Sequence, residues 1–188
     1  MERFDKRGIE MAKNYLIVVD MQKDFVNKAL GTAEAAAIQP AVVRKVCDFD
    51  GKVIFTRDTH FENYLETSEG KLLPVEHCIK GTDGWQIVEE LEAFRTANNC
   101  VTYDKITFGC KELAQDMLRI NEEEGIDSIE LIGLCTDICV VSNALLLKAF
   151  LPEVEIKVDA ACCAGVTPEK HEAALETMRS CQILVCNA

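Results

Sequence analysis

Three residues that could carry out nucleophilic chemistry lie at the ends of short segments with strand character. Asp20 follows the apolar run at 16–19, Lys105 ends the segment 99–105, and Cys139 lies shortly after the predicted strand at 128–133. A cysteine nucleophile needs a base that removes its proton, and a nearby ammonium group stabilises both a carboxylate and a thiolate. We therefore predict that Cys139 is a nucleophile, with Asp20 as its base and Lys105 as the neighbouring cation.

Cys139 is one of ten cysteines, so other thiols compete with it for this role. It ends the segment Gly-Leu-Cys-Thr-Asp-Ile-Cys at 133–139, which joins a predicted strand to a predicted apolar helix. The free N–H groups and the dipole at a helix N-terminus favour the thiolate form. Cys135 shares this turn and is a rival, and Cys162 and Cys163 after the fifth predicted strand are two more. His171, the usual kind of base, is predicted on a solvated helix face.

The other two histidines indicate a metal site. In the triplet Asp58-Thr59-His60, an extended backbone projects the carboxylate and the imidazole to the same side, so both can reach one ion. His77 is a third candidate ligand, and Glu66 or Glu69 is a fourth. Nitrogen and carboxylate ligands suit zinc, iron or manganese. The segment therefore predicts a divalent metal ion as a cofactor.

An alternation of strand and helix patterns predicts the frame that positions these residues. Strands are predicted at 16–19, 52–56, 99–105, 128–133, 154–158 and 183–186, and helices at 38–49, 85–94, 111–124, 137–150 and 168–181. This order favours an α/β fold with three α/β/α layers and a mostly parallel sheet of about six strands. Ligands bind beyond the carboxyl ends of such strands. We expect this edge to collect the residues that follow the strands: Asp20, Asp58, Lys105, the segment 135–139 and Asp159.

Length and composition limit the class of protein. The chain has 188 residues, enough for one domain, and we expect a charged extension at 1–12 and a single domain at 13–188. Its 32 acidic and 20 basic residues give a net charge of −12, which argues against binding to nucleic acid or to an anionic membrane. No run is long and apolar enough to span a membrane, and no secretory signal is visible. We therefore expect a cytoplasmic protein with reduced thiols.

Five short motifs resemble those of the isochorismatase-like cysteine hydrolases, in particular the nicotinamidase/pyrazinamidase branch. They are Asp-Met-Gln-Lys-Asp-Phe at 20–25, Arg-Asp-Thr-His at 57–60, Leu-Pro-Val-Glu-His-Cys at 73–78, Asp-Lys at 104–105 and Cys-Thr-Asp-Ile-Cys-Val at 135–140. The resemblance covers nearly the whole chain. It implies the fold of that family, a homo-oligomer, and hydrolysis of nicotinamide or pyrazinamide to the acid and ammonia through a cysteine thioester.

The resemblance also implies roles for individual residues. Asp20, Lys105 and Cys139 would form a catalytic triad, and the backbone N–H groups of Cys135 and Cys139 would form an oxyanion hole. A cis peptide bond is implied between Leu134 and Cys135.

The same family implies a metal ion that orients the substrate ring. Its ligands would be Asp58, His60 and His77, with Glu69 as a fourth candidate. Three apolar residues are candidates for the substrate pocket: Phe25, Leu73 and Phe108. Leu73 stands where many nicotinamidases have a tryptophan that stacks on the ring, which leaves open another hydrolase of this family, such as an N-carbamoyl amidase or a vinyl ether hydrolase.

Two alternatives from other classes are also open. Receiver-like binding modules also place an aspartate and a lysine after strands, but they have no use for Cys139, His60 or His77. A thiol redox protein would use Cys135 and Cys139, which are separated by three residues rather than by the two of a Cys-x-x-Cys motif. Loss of function on blocking one thiol would separate an enzyme from a binding module.

Overall fold

Residues 13–188, the part of the chain that the computed structural model describes, contain six strands and seven α-helices. At least one helix lies between each strand and the next. The strands are β1 (Asn14–Val19), β2 (Lys52–Asp58), β3 (Thr102–Lys105), β4 (Ser128–Leu134), β5 (Glu155–Ala164) and β6 (Leu184–Cys186). The helices are α1 (Lys23–Val26), α2 (Ala33–Asp48), α3 (Ser68–Leu72), α4 (Glu89–Ala97), α5 (Lys111–Glu124), α6 (Val141–Phe150) and α7 (Pro168–Ser180). A 3-10 turn spans Tyr64–Glu66 and a π-helical turn spans Thr136–Val140. The extension expected at 1–12 lies outside the described residues.

All six strands form one parallel sheet in the order β3-β2-β1-β4-β5-β6. The central strand β1 is buried on both faces, which explains its continuous apolar run. Helices α1, α2 and α4 pack on one face of the sheet, and α5, α6 and α7 pack on the other. The predicted three-layer fold with about six strands is confirmed.

The strand order reverses at β1, because the chain proceeds to β2 and β3 on one side and returns to β4 on the other. A crevice for ligands opens at such a reversal, beyond the carboxyl ends of the strands. Asp20 directly follows β1, Asp58 and Lys105 end β2 and β3, and Cys135 directly follows β4. Four of the five predicted positions therefore do lie at one edge of the sheet.

The fifth position was predicted wrongly, because β5 is longer than its apolar run. Pairing with β4 is irregular after Leu131 but resumes at Gly133 and Cys163, and this carries the strand to Ala164. Asp159 is consequently buried inside β5, where its carboxylate lies 3.0 Å from Lys45 Nζ. Cys162 also lies within the strand rather than after it.

Two helices begin at other residues than the sequence patterns indicate. Helix α2 begins at Ala33, because the Thr32 side chain accepts a hydrogen bond from Ala35 N and caps the helix there. Pro40, which is near the start of the predicted helix at 38–49, therefore lies inside α2. Helix α4 begins only at Glu89, because the preceding residues form a loop in which Val88 N donates to the Met21 carbonyl.

All ten cysteines lie in the described part of the chain and are free thiols. Among residues 13–188, no helix is both long enough and apolar enough to cross a membrane.

Candidate active site

The ammonium group of Lys105 is the centre of a buried cluster at the carboxyl edge of the sheet. Its Nζ lies 2.7 Å from Asp20 Oδ2, 3.2 Å from Asp58 Oδ1 and 3.3 Å from Cys139 Sγ. The side chains of Lys105 and Asp20 have no exposure to solvent. The structure therefore brings together the three residues of the predicted triad and adds Asp58 to them.

Asp20 is held in place by strand β2. Its backbone has φ 48°, a left-handed conformation that is uncommon for residues other than glycine. Its N–H donates to the Thr56 carbonyl at 3.3 Å, and the Thr56 hydroxyl donates to Asp20 Oδ1 at 2.6 Å. Burial raises the pKa of Asp20, and the positive charge of Lys105 opposes that rise. The carboxylate is thus more basic than an exposed aspartate and remains fixed in orientation.

Cys139 lies in the π-helical turn and is only 4% exposed. Burial raises the pKa of its thiol well above the ordinary value; Lys105 opposes this, while a hydrogen bond to Asp20 favours the neutral thiol. Burial thus opposes the thiolate form that the helix N-terminus is expected to favour. Burial also disfavours the charged form of Lys105, but Asp20, Cys139 and Asp58 together raise the pKa of Lys105 well above its usual value.

The turn before Cys139 has the predicted backbone. The peptide bond between Leu134 and Cys135 is cis, which confirms that prediction. The Cys135 carbonyl accepts the N–H groups of Ile138 and Val140 at 3.1 and 3.0 Å. Burial raises the pKa of the Cys135 thiol to about 12. Burial has the same effect on Cys139, so the contact of Cys139 with Lys105, rather than the thiol pKa, distinguishes the two cysteines.

Cys162 and Cys163, the other rival thiols, lie in β5 and are buried. Burial raises the pKa of Cys162 to about 11, and the charged residues that act on it are Asp159, Lys45 and Glu130 rather than Lys105. Among these thiols, only Cys139 lies within hydrogen-bonding distance of Lys105.

Four predicted metal ligands form a second cluster beside the first. One ligand atom from each of Asp58, His60, Glu69 and His77 lies within 4.8 Å of the others. His60 Nε2 is 2.9 Å from Asp58 Oδ2 and 3.6 Å from Glu69 Oε1, and His77 Nε2 is 3.7 and 3.8 Å from the same two atoms. Ligands in a tetrahedron with bonds of about 2.1 Å stand roughly 3.4 Å apart. The spacing therefore fits one shared ion.

The orientation of the imidazoles also fits a metal ion. His60 Nε2 is buried and makes no hydrogen bond, although it faces the carboxylate of Asp58. His77 Nδ1 lies 2.8 Å from the Val75 carbonyl oxygen, so a proton on Nδ1 leaves the lone pair of Nε2 free to face the cluster. Glu69, and not Glu66, is the glutamate that the structure brings to this cluster.

Asp58 belongs to both clusters, and Gln22 fixes the backbone of this shared residue. One carboxylate oxygen of Asp58 faces Lys105 and the other faces the two imidazoles. The Gln22 side chain accepts from Asp58 N at 2.7 Å and donates to the carbonyls of Asp58 and Trp85, each at 2.9 Å. Sequence reasoning gave Gln22 no role, although it lies inside the motif at 20–25.

The three candidate substrate residues occupy different surroundings. The Phe25 ring is buried with its centroid 5.5 Å from that of His77, so it borders the metal cluster. Leu73 is partly exposed, and its carbonyl accepts the Tyr64 hydroxyl at 2.9 Å. Phe108 is exposed on the loop between β3 and α5.

Several residues that sequence reasoning missed support these clusters. The Tyr64 ring is fully buried, with its centroid 4.6 Å from His60 and 5.0 Å from His77. The prediction that His171 lies on a solvated face is wrong, because the residue is half-buried. Its Nδ1 lies 2.8 Å from the hydroxyl of Thr136, in the π-helical turn that contains Cys139. Burial lowers the pKa of His171.

Comparisons with known proteins agree with this geometry. The sequence profile of the isochorismatase domain matches residues 14–188. The nicotinamidase/pyrazinamidase of Mycobacterium tuberculosis is 27% identical over 190 residues, which cover 92% of this chain and 98% of that protein. The crystal structure of a nicotinamidase from Bacillus subtilis superposes with a TM-score of 0.78 at 28% identity, covering 93% of this chain and 99% of its own. A pyrazinamidase of Pyrococcus horikoshii in complex with zinc superposes with a TM-score of 0.74 at 30% identity, covering 94% and 99%.

Proposed function

Because the chain belongs to the isochorismatase-domain family of hydrolases, we propose that it hydrolyses a small aromatic carboxamide, nicotinamide or pyrazinamide, to the acid and ammonia. The observation that carries this proposal is the sharing of Asp58 between the Lys105 cluster and the metal cluster. The Lys105 cluster would act on an amide, and the metal cluster would bind a ring nitrogen. Because the two clusters share Asp58, they suit a substrate that has an amide at one end and a ring nitrogen at the other. Relatives named as nicotinamidases and pyrazinamidases support the same choice.

The first chemical step is attack by the thiol of Cys139. Asp20 removes the proton from Sγ as the sulfur attacks the amide carbon, and its raised pKa makes it a better base than an exposed aspartate. Lys105 lies 3.3 Å from Sγ and compensates the negative charge as it moves from the carboxylate to the sulfur. Burial raises the pKa of the Cys139 thiol, so removal of its proton by Asp20 is coupled to the attack.

The second part of the reaction releases ammonia and then the acid. Backbone N–H groups of Cys135 and Cys139 hold the developing oxyanion, and one such donor contributes about 3 kcal/mol. The protonated Asp20 gives its proton to the departing ammonia. Asp20 then takes a proton from the water that attacks the thioester carbon, the C–S bond breaks, and Asp20 returns the proton to the departing sulfur, which frees the acid and restores the Cys139 thiol.

Asp58, His60, Glu69 and His77 would hold a divalent metal ion such as zinc, iron or manganese. Such an ion would supply Lewis acidity toward a ring nitrogen, and the residues that hold it would thereby help to orient the amide toward Cys139. Phe25 borders this site, and Leu73 and Phe108 would line the rest of the pocket.

Ammonia release from the purified protein, with nicotinamide and pyrazinamide as substrates, tests the proposal. The metal content of the same sample is measured by mass spectrometry. We expect Cys139→Ala to abolish release and to keep the metal, whereas Cys162→Ala, a matched loss of a buried thiol, keeps both. Full activity of Cys139→Ala would refute the mechanism. No release from metal-loaded wild type would refute the substrate and favour another amide of the family, such as an N-carbamoyl compound.

A further inference from the structure

One buried amide side chain joins the candidate nucleophile to the loop that follows Lys105. Asn143 is 1% exposed, and its Nδ2 donates to the Cys139 carbonyl at 2.8 Å and to the Phe108 carbonyl at 3.1 Å. Its Oδ1 accepts the N–H of Cys110 at 2.9 Å. Both donors and the acceptor of this one amide are thus used between two segments that are far apart in sequence.

The loop at 106–110 has an exposed apolar tip and a fixed base. Ile106 and Phe108 are 65% and 45% exposed, whereas Cys110 is buried. A Cβ on Gly109 would lie only 3.3 Å from the Ser142 carbonyl oxygen, so the loop backbone runs close to the first turn of α6. Within residues 13–188, Asn143 forms the hydrogen bonds that join this loop to α6.

We propose that Asn143 is a positioning residue that fixes the distance between this loop and Cys139 and thereby selects a flat aromatic amide. The loop starts at the triad residue Lys105, and Asn143 holds its far end to the residue that carries the nucleophile. Loss of the amide would leave the buried Cys139 carbonyl and the buried Cys110 N–H without this partner and would release the Phe108 carbonyl, and the loop would move outward to hydrate these groups. The proposal rests on the proposed function, because the loop is taken to contact the substrate ring.

Two variants separate the hydrogen bond of Asn143 to Cys139 from its hydrogen bonds to the loop at 106–110. Asn143→Ala removes all three hydrogen bonds. In Asn143→Thr, the hydroxyl can still donate to the carbonyl four residues earlier, which is that of Cys139, but it loses the loop. Asn98→Ala is the matched control, because Asn98 Nδ2 donates to the carbonyl four residues earlier on an exposed helix end, at 2.9 Å.

The kinetic readout is the separation of KM from kcat for two amides. In both Asn143 variants we expect KM for nicotinamide to rise about tenfold, equivalent to ~1.4 kcal/mol, with kcat changed less than about threefold. KM for propionamide, which has no ring to contact the loop, should stay within about twofold of wild type. Asn98→Ala should behave as wild type with both amides.

A second readout needs no substrate. Cys139 is alkylated with iodoacetamide and with N-phenyl iodoacetamide, and labelling of its own peptide is followed by mass spectrometry. We expect the rate ratio of the aromatic to the small reagent to fall in both Asn143 variants while the iodoacetamide rate is unchanged. This ratio would shift even if the wild type hydrolysed no aromatic amide, in which case the proposed function would fail and the positioning role would stand.

Three results would overturn the proposal. An unchanged KM together with an unchanged reagent ratio in Asn143→Thr would remove the positioning role. An equal loss of kcat with both amides would assign Asn143 a general structural role instead. Failure of both Asn143 variants to fold, while Asn98→Ala folds, would do the same.

Discussion

Replacing Thr56 by valine should move the acid limb of the pH–rate profile toward higher pH. The Thr56 hydroxyl donates to Asp20 Oδ1 at 2.6 Å, and both residues are fully buried. This hydrogen bond favours the ionised carboxylate and lowers the pKa of Asp20, so removing it adds to the rise that burial already causes. Valine keeps the shape of threonine without the donor. The proposed base would then be ionised only at a higher pH.

The size of the shift follows from the kind of hydrogen bond that is lost. A hydrogen bond to a charged group contributes about 1.5–3 kcal/mol, and one pKa unit corresponds to about 1.36 kcal/mol. The upper bound is therefore about two units, and we expect about one because Lys105 remains 2.7 Å from the other oxygen. Below the new pKa the rate should fall up to about tenfold per pH unit, and the plateau at higher pH should be unchanged.

The assay is kcat/KM for nicotinamide from pH 4 to pH 9, with Thr177→Val as the control, because its hydroxyl donates to the Ala173 carbonyl on an exposed helix face. Urea unfolding adds a check with a definite sign. A carboxyl whose folded pKa is raised loses stability as the pH rises through that pKa, so the variant should be most destabilised at neutral pH and least at acidic pH. An acid limb that stays in place or moves to lower pH would refute the role of Asp20 as the base.

Two further predictions concern the metal cluster and the partly buried contacts of Lys45 with Glu130 and Asp159, which lie outside the site. His77→Ala should lose most of the bound metal in mass spectrometry, whereas His171→Ala should keep it, because His171 lies on α7, beside the Thr136 hydroxyl, and outside the metal cluster. Equal metal content in the two variants would contradict the assigned ligands. Lys45→Met should lower the free energy of unfolding in urea by ~2–3 kcal/mol, since it leaves Glu130 and Asp159 without their cation, and the estimate is reduced because the lysine is 28% exposed. A change below about 0.5 kcal/mol would show that this pair is of little consequence.

The strands that carry the triad could be predicted because their signals are local. The apolar run at 16–19 is continuous since β1 is covered on both faces, and the residue after it is necessarily at the carboxyl edge. Helix α5 was also predicted with its observed bounds, because Gly125 follows it with φ 79° and ends it.

Other features depend on contacts between distant segments and leave no local pattern. The length of β5 is set by its pairing with β4, and the burial that raises the pKa of Cys139 comes from packing between distant segments. Asn143 bonds to the Phe108 carbonyl and His171 to the Thr136 hydroxyl, and only the fold brings these residues near each other. A polar asparagine within an apolar helix, four residues after the nucleophile, was the one available signal for Asn143.

In the proposed mechanism, ring recognition and bond cleavage would be carried by separable parts of the chain. Three of the four candidate metal ligands, His60, Glu69 and His77, lie in the connection between β2 and α4, whereas the triad is built on the sheet and on the turn after β4. Divergence of that connection can therefore alter which ring is accepted without rebuilding the hydrolytic machinery. Asp58 links the connection to the triad, because any residue that replaced it would have to interact with both Lys105 and the imidazoles. To change the amide specificity of this scaffold, one would therefore replace the connection between β2 and α4 and keep Asp58, the residue at which it begins.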